Sequence, residues 1–160
     1  MTEWKAIAAV SKDRYVSKNG ELPWSFPIDF AQWTHKVREN PVVLGRKTFE
    51  QIPPNLTEDH MYVLSRSKSY PEKEYVTVCK SKEELLHNTQ DVEKTIYVLG
   101  GGQIYQLLYD LCDTLILTEV DEVIDGDSKF PEYEQHFSEK VNISIPNKPY
   151  TICYYNRHAK

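Results

Sequence analysis

Glycine is scarce in this 160-residue chain: there are six, three of them consecutive at Gly100, Gly101 and Gly102. Average usage is about 7%, so a chain that avoids glycine elsewhere has concentrated it at one point. Cysteine is also sparse. Cys79, Cys112 and Cys153 are odd in number and far apart, which excludes a disulfide framework and a C-x-x-C metal site. The five histidines show no ligand spacing, so no metal is expected. Apolar runs approaching the ~20 residues needed to cross a bilayer are missing. The amino terminus, Met-Thr-Glu-Trp-Lys, lacks the basic start and long apolar stretch of a secretory signal. A cytoplasmic, reducing setting without membrane contact is the expectation. Basic residues are outnumbered, 19 Lys and Arg against 24 Asp and Glu, for a net charge of −5. That balance argues against nucleic acid as a partner, because phosphate neutralisation needs basic surface.

What is present fits one domain over residues 1–160. Hydrophobic residues make up 40% of the chain, enough for a core, and no repeat, low-complexity tract or linker divides it. Four short apolar runs, at residues 4–10, 41–45, 61–65 and 95–99, are continuous rather than alternating. Strands covered on both faces read this way, as in a mostly parallel sheet flanked by helices. A shorter strand is expected over 74–79. Helices are expected over 27–39, where Phe30, Trp33 and Val37 form one apolar stripe, over 81–87, where Ser81 and Glu84 make a capping-box pattern, and over 103–109. Residues 114–120 read as a long strand, 121–129 as an acidic turn, and 141–145 with 150–155 as a hairpin across Pro146-Asn-Lys-Pro149. This is an α/β domain with a mixed sheet.

Four constellations carry chemistry. Tyr97-Val-Leu-Gly-Gly-Gly-Gln-Ile-Tyr105 is a strand end, a glycine run and a helix start, where exposed backbone N–H groups can meet a phosphate and small residues admit close approach. A tight strand-to-helix connection alone needs only one glycine. The pattern is not G-x-G-x-x-G, since Tyr105 holds the last glycine position. Leu44-Gly-Arg-Lys-Thr-Phe-Glu50 and Ser65-Arg-Ser67 are two further strand ends bearing cations. Ligands of α/β sheets gather at the carboxyl ends of strands, so these turns can converge on a phosphate-rich ligand, although each alone also reads as solvated surface charge. The fourth is Asp29, set among Trp24, Phe26, Phe30 and Trp33 one turn into a helix. It reads either as a helix N-terminal acid bonding backbone N–H groups, the commoner role, or as a carboxyl raised by apolar surroundings and able to exchange a proton near neutrality.

Together these residues resemble the dihydrofolate reductase family over nearly the whole chain. The motifs are Ile7-Ala-Ala-Val10, Gly20-Glu-Leu-Pro-Trp24, Pro27-Ile-Asp29, Val42–Glu50, Leu64-Ser-Arg66, Val98–Tyr105, Leu117-Thr118 and Gly126-Asp-Ser-Lys-Phe-Pro131, in order and at family spacing. The resemblance implies a central eight-stranded, mostly parallel mixed sheet with four helices and a C-terminal antiparallel hairpin. It implies NADPH as cofactor, dihydrofolate as substrate, a monomer, and hydride transfer to the pterin with Asp29 promoting ring protonation. Leu22, Pro23 and Trp24 match a loop that closes over the ring. Ile7, Phe30, Trp33, Ile52, Leu56, Leu99, Tyr105 and Thr118 match substrate positions, with Thr118 bonding back towards Asp29. Ala9, Val16, Ser17, Gly20, Gly45, Arg46, Lys47, Thr48, Leu64, Ser65, Arg66, Lys80, Leu99, Gly100, Gly101, Gly102, Gln103, Ile104 and Tyr105 match cofactor positions. Among these, Ser65 and Arg66 correspond to the 2′-phosphate site, and the Gly100–Gly101 peptide to a cis bond. Two departures stand out. Asp59, followed by His60, takes the place of an arginine that grips the substrate's glutamate carboxylate, so another cation substitutes or the tail is held less firmly. Ser17 replaces a loop glycine, which bears on loop mobility. Two alternatives stay open at this point: another reductase of the same fold, of the riboflavin-pathway type, and a non-catalytic nucleotide-binding protein, for which Asp29 would be unnecessary.

Overall fold

The computed structural model describes residues 2–17, 37–51, 57–66, 75–144 and 150–158. Along the chain these form β1 (Glu3–Val10), β2 (Tyr15–Ser17), β3 (Val42–Gly45), α1 (Arg46–Gln51), β4 (Met61–Leu64), β5 (Val76–Cys79), α2 (Lys82–Thr89), β6 (Thr95–Val98), α3 (Gly102–Leu108), a 3-10 turn (Tyr109–Leu111), β7 (Thr114–Val120), β8 (Ser128–Lys129), β9 (Phe137–Ser144) and β10 (Tyr150–Arg157). Eight strands build one sheet in the order β5-β4-β3-β6-β1-β7-β10-β9. The pairings from β5 through β7 are all parallel, and β10 runs antiparallel to both β7 and β9.

The continuous apolar runs become largely buried strands: β3 and β4 are buried at every position, β1 and β6 at most positions. Side chains alternate across the sheet. Trp4, Ala6, Ala8 and Val10 of β1 enter one cluster with Leu115, Leu117, Cys153, Tyr155, Leu85, Leu108 and Phe130. Ile7 enters the other, with Leu44, Val63, Leu99, Ile116 and Val37. Of the helix expected over 27–39, only Val37–Glu39 lie among the described residues, and Val37 is fully buried.

At α2 the Ser81 hydroxyl accepts from the Glu84 N–H at 3.1 Å. The Glu84 carboxylate accepts from the Lys80 N–H at 2.9 Å, one residue earlier than the usual reciprocal bond. The helix runs two residues past His87, where buried Thr89 returns its hydroxyl to the Leu85 carbonyl at 2.8 Å.

Other elements also differ from the sequence expectation. Ser128–Lys129, read as turn, is a short strand pairing antiparallel with β2. The strand expected over 74–79 begins at Val76. β9 begins at Phe137 rather than 141, and its register with β10 shifts between Tyr154 and Tyr155. A bulge of that kind breaks the period-two pattern that would reveal the strand.

Because β5, β4, β3, β6 and β1 are parallel neighbours, their carboxyl ends lie along one edge of the sheet. Lys80, Ser65, Gly45, Leu99 and Val10 therefore follow one another there.

Candidate active site

The glycine run sits at the centre of that edge. Its Gly100–Gly101 peptide is cis, and Gly100 has φ 103°. The Gly100 carbonyl accepts from the Gly45 N–H at 2.8 Å, which ties the ends of β3 and β6 together. The Gly101 carbonyl accepts from both Ile104 and Tyr105 at 3.0 Å, closing the first turn of α3. Among the described residues no acceptor takes the N–H groups of Gly101, Gly102 or Gln103.

Each glycine has different surroundings. A side chain on Gly100 would meet the Tyr105 ring at 2.9 Å, and one on Gly102 would meet the Ser128 Cβ at 2.5 Å. One on Gly45 would meet the Ile104 Cγ1 at 2.9 Å. Among the described residues only Gly101 faces space, with the Thr48 Oγ1 at 3.7 Å its sole near neighbour. Thr48 belongs to α1, which begins directly after Gly45.

Cations line the same edge. Lys47, Arg66 and Lys80 are exposed and without an ion-pair partner among the described residues, while Arg46 meets Glu50 at 3.6 Å. In a chain of net charge −5, three exposed cations along the edge that holds open N–H groups make a local anion field. Ser65 is buried and donates its N–H to the Cys79 carbonyl at 3.0 Å, and Leu64 is buried beside it. Gln103 is exposed, and Ile104 is half-buried against Gly45.

Ile7 and Leu99 are buried in one cluster, where Ile116 pairs with Ile7. Ala9 pairs with buried Thr118 two positions on, so Thr118 shares their face. Tyr105 stands on the opposite face, packed on Phe130 at 4.9 Å, and donates its phenol to the Ile7 carbonyl at 2.6 Å. Burial holds that phenol far above its usual titration range, so it stays a donor.

Val16 is buried and Ser17 half-buried in β2. The Ser17 hydroxyl donates to the Asp127 carboxylate at 2.6 Å, and the Asp127 N–H donates to the Ser17 carbonyl at 3.0 Å. Asp127 and Ser128 lie in the Gly126–Pro131 motif but carry no chemical signature of their own in the sequence. Their only signal was adjacency to Gly126, whose missing side chain leaves room for the Ser17 carbonyl and Tyr15. Gly20, Leu22, Pro23, Trp24, Asp29, Phe30, Trp33, Ile52 and Leu56 lie outside the described residues.

Asp59 and His60 precede β4, and Lys94 precedes β6, so all three belong to the opposite edge of the sheet. Lys94 donates to the Asp59 carboxylate at 2.8 Å, which makes it the cation beside the position where an arginine was expected. Among the described residues no group of three or more His, Cys, Asp or Glu could hold a metal ion. No described helix is long and apolar enough to cross a membrane.

The dihydrofolate reductase family model matches residues 3–157. The chain belongs to the dihydrofolate reductase family. It is 33% identical to the dihydrofolate reductase of Haemophilus influenzae, covering 89% of this chain and 90% of that one. It is 34% identical to dihydrofolate reductase HdrB of Haloferax volcanii, over 81% of this chain and 71% of that one. Among solved structures it resembles the dihydrofolate reductase from Enterococcus faecalis complexed with NADP(H) and RAB-propyl, with a TM-score of 0.81, 29% identity and coverage of 98% and 97%. Family membership accounts for the eight-stranded sheet and its C-terminal hairpin, and the riboflavin-pathway alternative draws no support from these relatives.

Proposed function

We infer that the protein is an NADPH-dependent dihydrofolate reductase that reduces 7,8-dihydrofolate to tetrahydrofolate. The observation that carries this reading is the glycine turn: open N–H groups at Gly101, Gly102 and Gln103, free space at Gly101, and Lys47, Arg66 and Lys80 on the same edge. That donor set fits a pyrophosphate and a further phosphate, and NADPH carries both.

In this reading Gly100–Gly102, Gly45, Arg46, Lys47 and Thr48 hold the pyrophosphate region, and Ser65, Arg66 and Lys80 the adenosine phosphate. NADPH supplies the hydride when bound. Ile7, Leu99 and Thr118 wall the substrate side of the sheet edge, and Tyr105 fixes the Ile7 carbonyl. Asp29 acts on the proton side, because a ring nitrogen that carries a proton is the better hydride acceptor. Leu22 and Trp24 close over the reacting ring and exclude water. The protein works as a single-domain monomer in the cytoplasm, with no nucleic-acid or membrane partner.

The test follows loss of reduced-nicotinamide absorbance with and without dihydrofolate, for the parent and for Asp29→Asn. Oxidation is expected to require dihydrofolate, and the variant to lose about 10²-fold or more at neutral pH. Oxidation that ignores dihydrofolate would end the reductase reading. Unchanged turnover in Asp29→Asn would remove that residue from the mechanism.

A further inference from the structure

Glu119 lies next to Thr118 on β7 but faces the other side of the sheet, towards the cluster of Leu115, Leu117, Cys153 and Tyr155. Its carboxylate is half-buried. It accepts from the Tyr133 phenol at 2.7 Å, from the Tyr155 phenol, and from the Cys153 thiol at 3.4 Å. Burial, and then the adjacent Glu119 carboxylate, push both phenols well above their usual value near 10, so both remain neutral donors. Three hydrogen bonds satisfy the oxygens but leave the negative charge in place.

Among the described residues no cation pairs with that charge. Lys12 is held by Asp121 at 2.7 Å and Arg14 by Glu132 at 3.5 Å. The carboxylate opens instead onto a cavity of about 580 Å³, walled by Ser11, Lys12, Arg14, Tyr133 and Glu134. A partly desolvated carboxylate is ordinarily matched by a cation. A cavity of several hundred Å³ is the size of a small-molecule site. Since Lys12 and Arg14 already have carboxylate partners and Glu134 adds another acid to the wall, the charge left uncompensated among the described residues is negative.

We propose that this cavity, between the turn after β1 and the ends of β7 and β10, binds a small organic cation through an ammonium group seated on Glu119. The site is on the far face of the sheet from Ile7 and Thr118, and it does not depend on the reductase reading. An ammonium there completes the charge pairing of Glu119, while the alkyl part lies along the Tyr133 wall.

The experiment titrates the isotope-labelled full chain with n-butylammonium chloride, and in parallel with n-butanol, at ionic strength matched with potassium chloride. Amide shifts are followed by NMR. Saturable shifts are expected at Ser11–Arg14, Glu119–Asp121 and Thr151 with butylammonium, and none that saturate with butanol. Glu119→Gln should weaken binding about tenfold or more, the loss of one charge-assisted contact. Glu134→Gln, an exposed wall position, should weaken it about twofold. An equal response to butanol, shifts scattered away from the cavity, or undiminished affinity in Glu119→Gln would overturn the proposal. If Glu119→Gln does not fold, the contrast between butylammonium and butanol on the parent decides the matter by itself.

Discussion

Gly102→Ala and Gly101→Ala differ by one position and should behave in opposite ways. At Gly102 the new Cβ would lie 2.5 Å from the Ser128 Cβ, 3.3 Å from its Oγ and 3.5 Å from the Lys129 carbonyl. The first of these cannot be relieved by a rotamer change, because Cβ moves only with the backbone. That backbone is fixed, since β8 pairs with β2 and the Lys129 carbonyl accepts from Gln106 at 3.2 Å. Overpacking of this kind costs about 1–3 kcal/mol, and alanine at a helix position returns at most about 1 kcal/mol. The net expectation is a loss of about 1–2 kcal/mol, a sizeable part of a stability of roughly 5–15 kcal/mol. At Gly101 the added atom meets, among the described residues, only the Thr48 Oγ1 at 3.7 Å, and φ there is −78°, so stability should stay within about 0.5 kcal/mol. The space it fills is the proposed cofactor space, so Gly101→Ala should lose NADPH affinity instead. Urea unfolding at unchanged m gives the stabilities, and fluorescence titration gives the affinities. Ser128→Gly completes a cycle. It costs about 0.5–1 kcal/mol alone, and Gly102→Ala added to it should then be nearly free. Additivity of the two substitutions within about 0.5 kcal/mol would refute the contact argument, and so would a Gly102→Ala protein as stable as the parent.

Tyr105→Phe removes the 2.6 Å phenol bond to the Ile7 carbonyl inside the core, and a loss of about 1–2 kcal/mol in urea unfolding is expected; an unchanged midpoint would contradict it. For His60, burial outweighs the nearby Asp59 carboxylate and lowers the imidazole below its usual value of 6.5. The unfolded chain thus binds the proton more readily than the folded one. Stability should be full above about pH 6.5 and fall as pH drops through the folded value. His60→Gln, which keeps a partner for Thr77 Oγ1 (2.7 Å from the ring nitrogen), should flatten that limb of the pH–stability curve; an undiminished slope would assign it to other groups.

The parts of the fold that could be read from residues are those settled locally. Val42–Gly45 and Met61–Leu64 are apolar at every position because both faces are covered, and that leaves a mark in sequence. Ser81 marks α2 because a cap is a contact three residues long. The strand order is not local, since a continuous apolar run carries no record of which neighbour it pairs with. The β2–β8 pairing sets Ser17 against Ser128, beside a Ser17–Asp127 bond that spans 110 positions, and each partner strand is too short to show a period. The site was legible to the same extent. Gly45, Ser65 and Gly100 announce themselves as strand ends, and a parallel sheet then brings strand ends together without further information. Ser128 and Glu119 are determined by what they touch, and nothing in their own neighbourhoods distinguishes them.

The glycine run also has a more divided meaning than its composition suggests. Three consecutive glycines read naturally as one ligand cradle. In the fold, Gly100 is glycine because its φ is positive and the Tyr105 ring occupies the place of a side chain. Gly102 is glycine because Ser128 fills that place from another strand. Gly101 alone has neither reason, and among the described residues nothing crowds the space in front of it. Two of the three glycines therefore lock the turn against its own protein, through Tyr105 to β1 and through Ser128 to the strand beside Ser17. The third presents the turn to a ligand. A turn pinned on both sides and open in the middle holds its free N–H groups in place before anything binds, so little ordering is left for binding to supply.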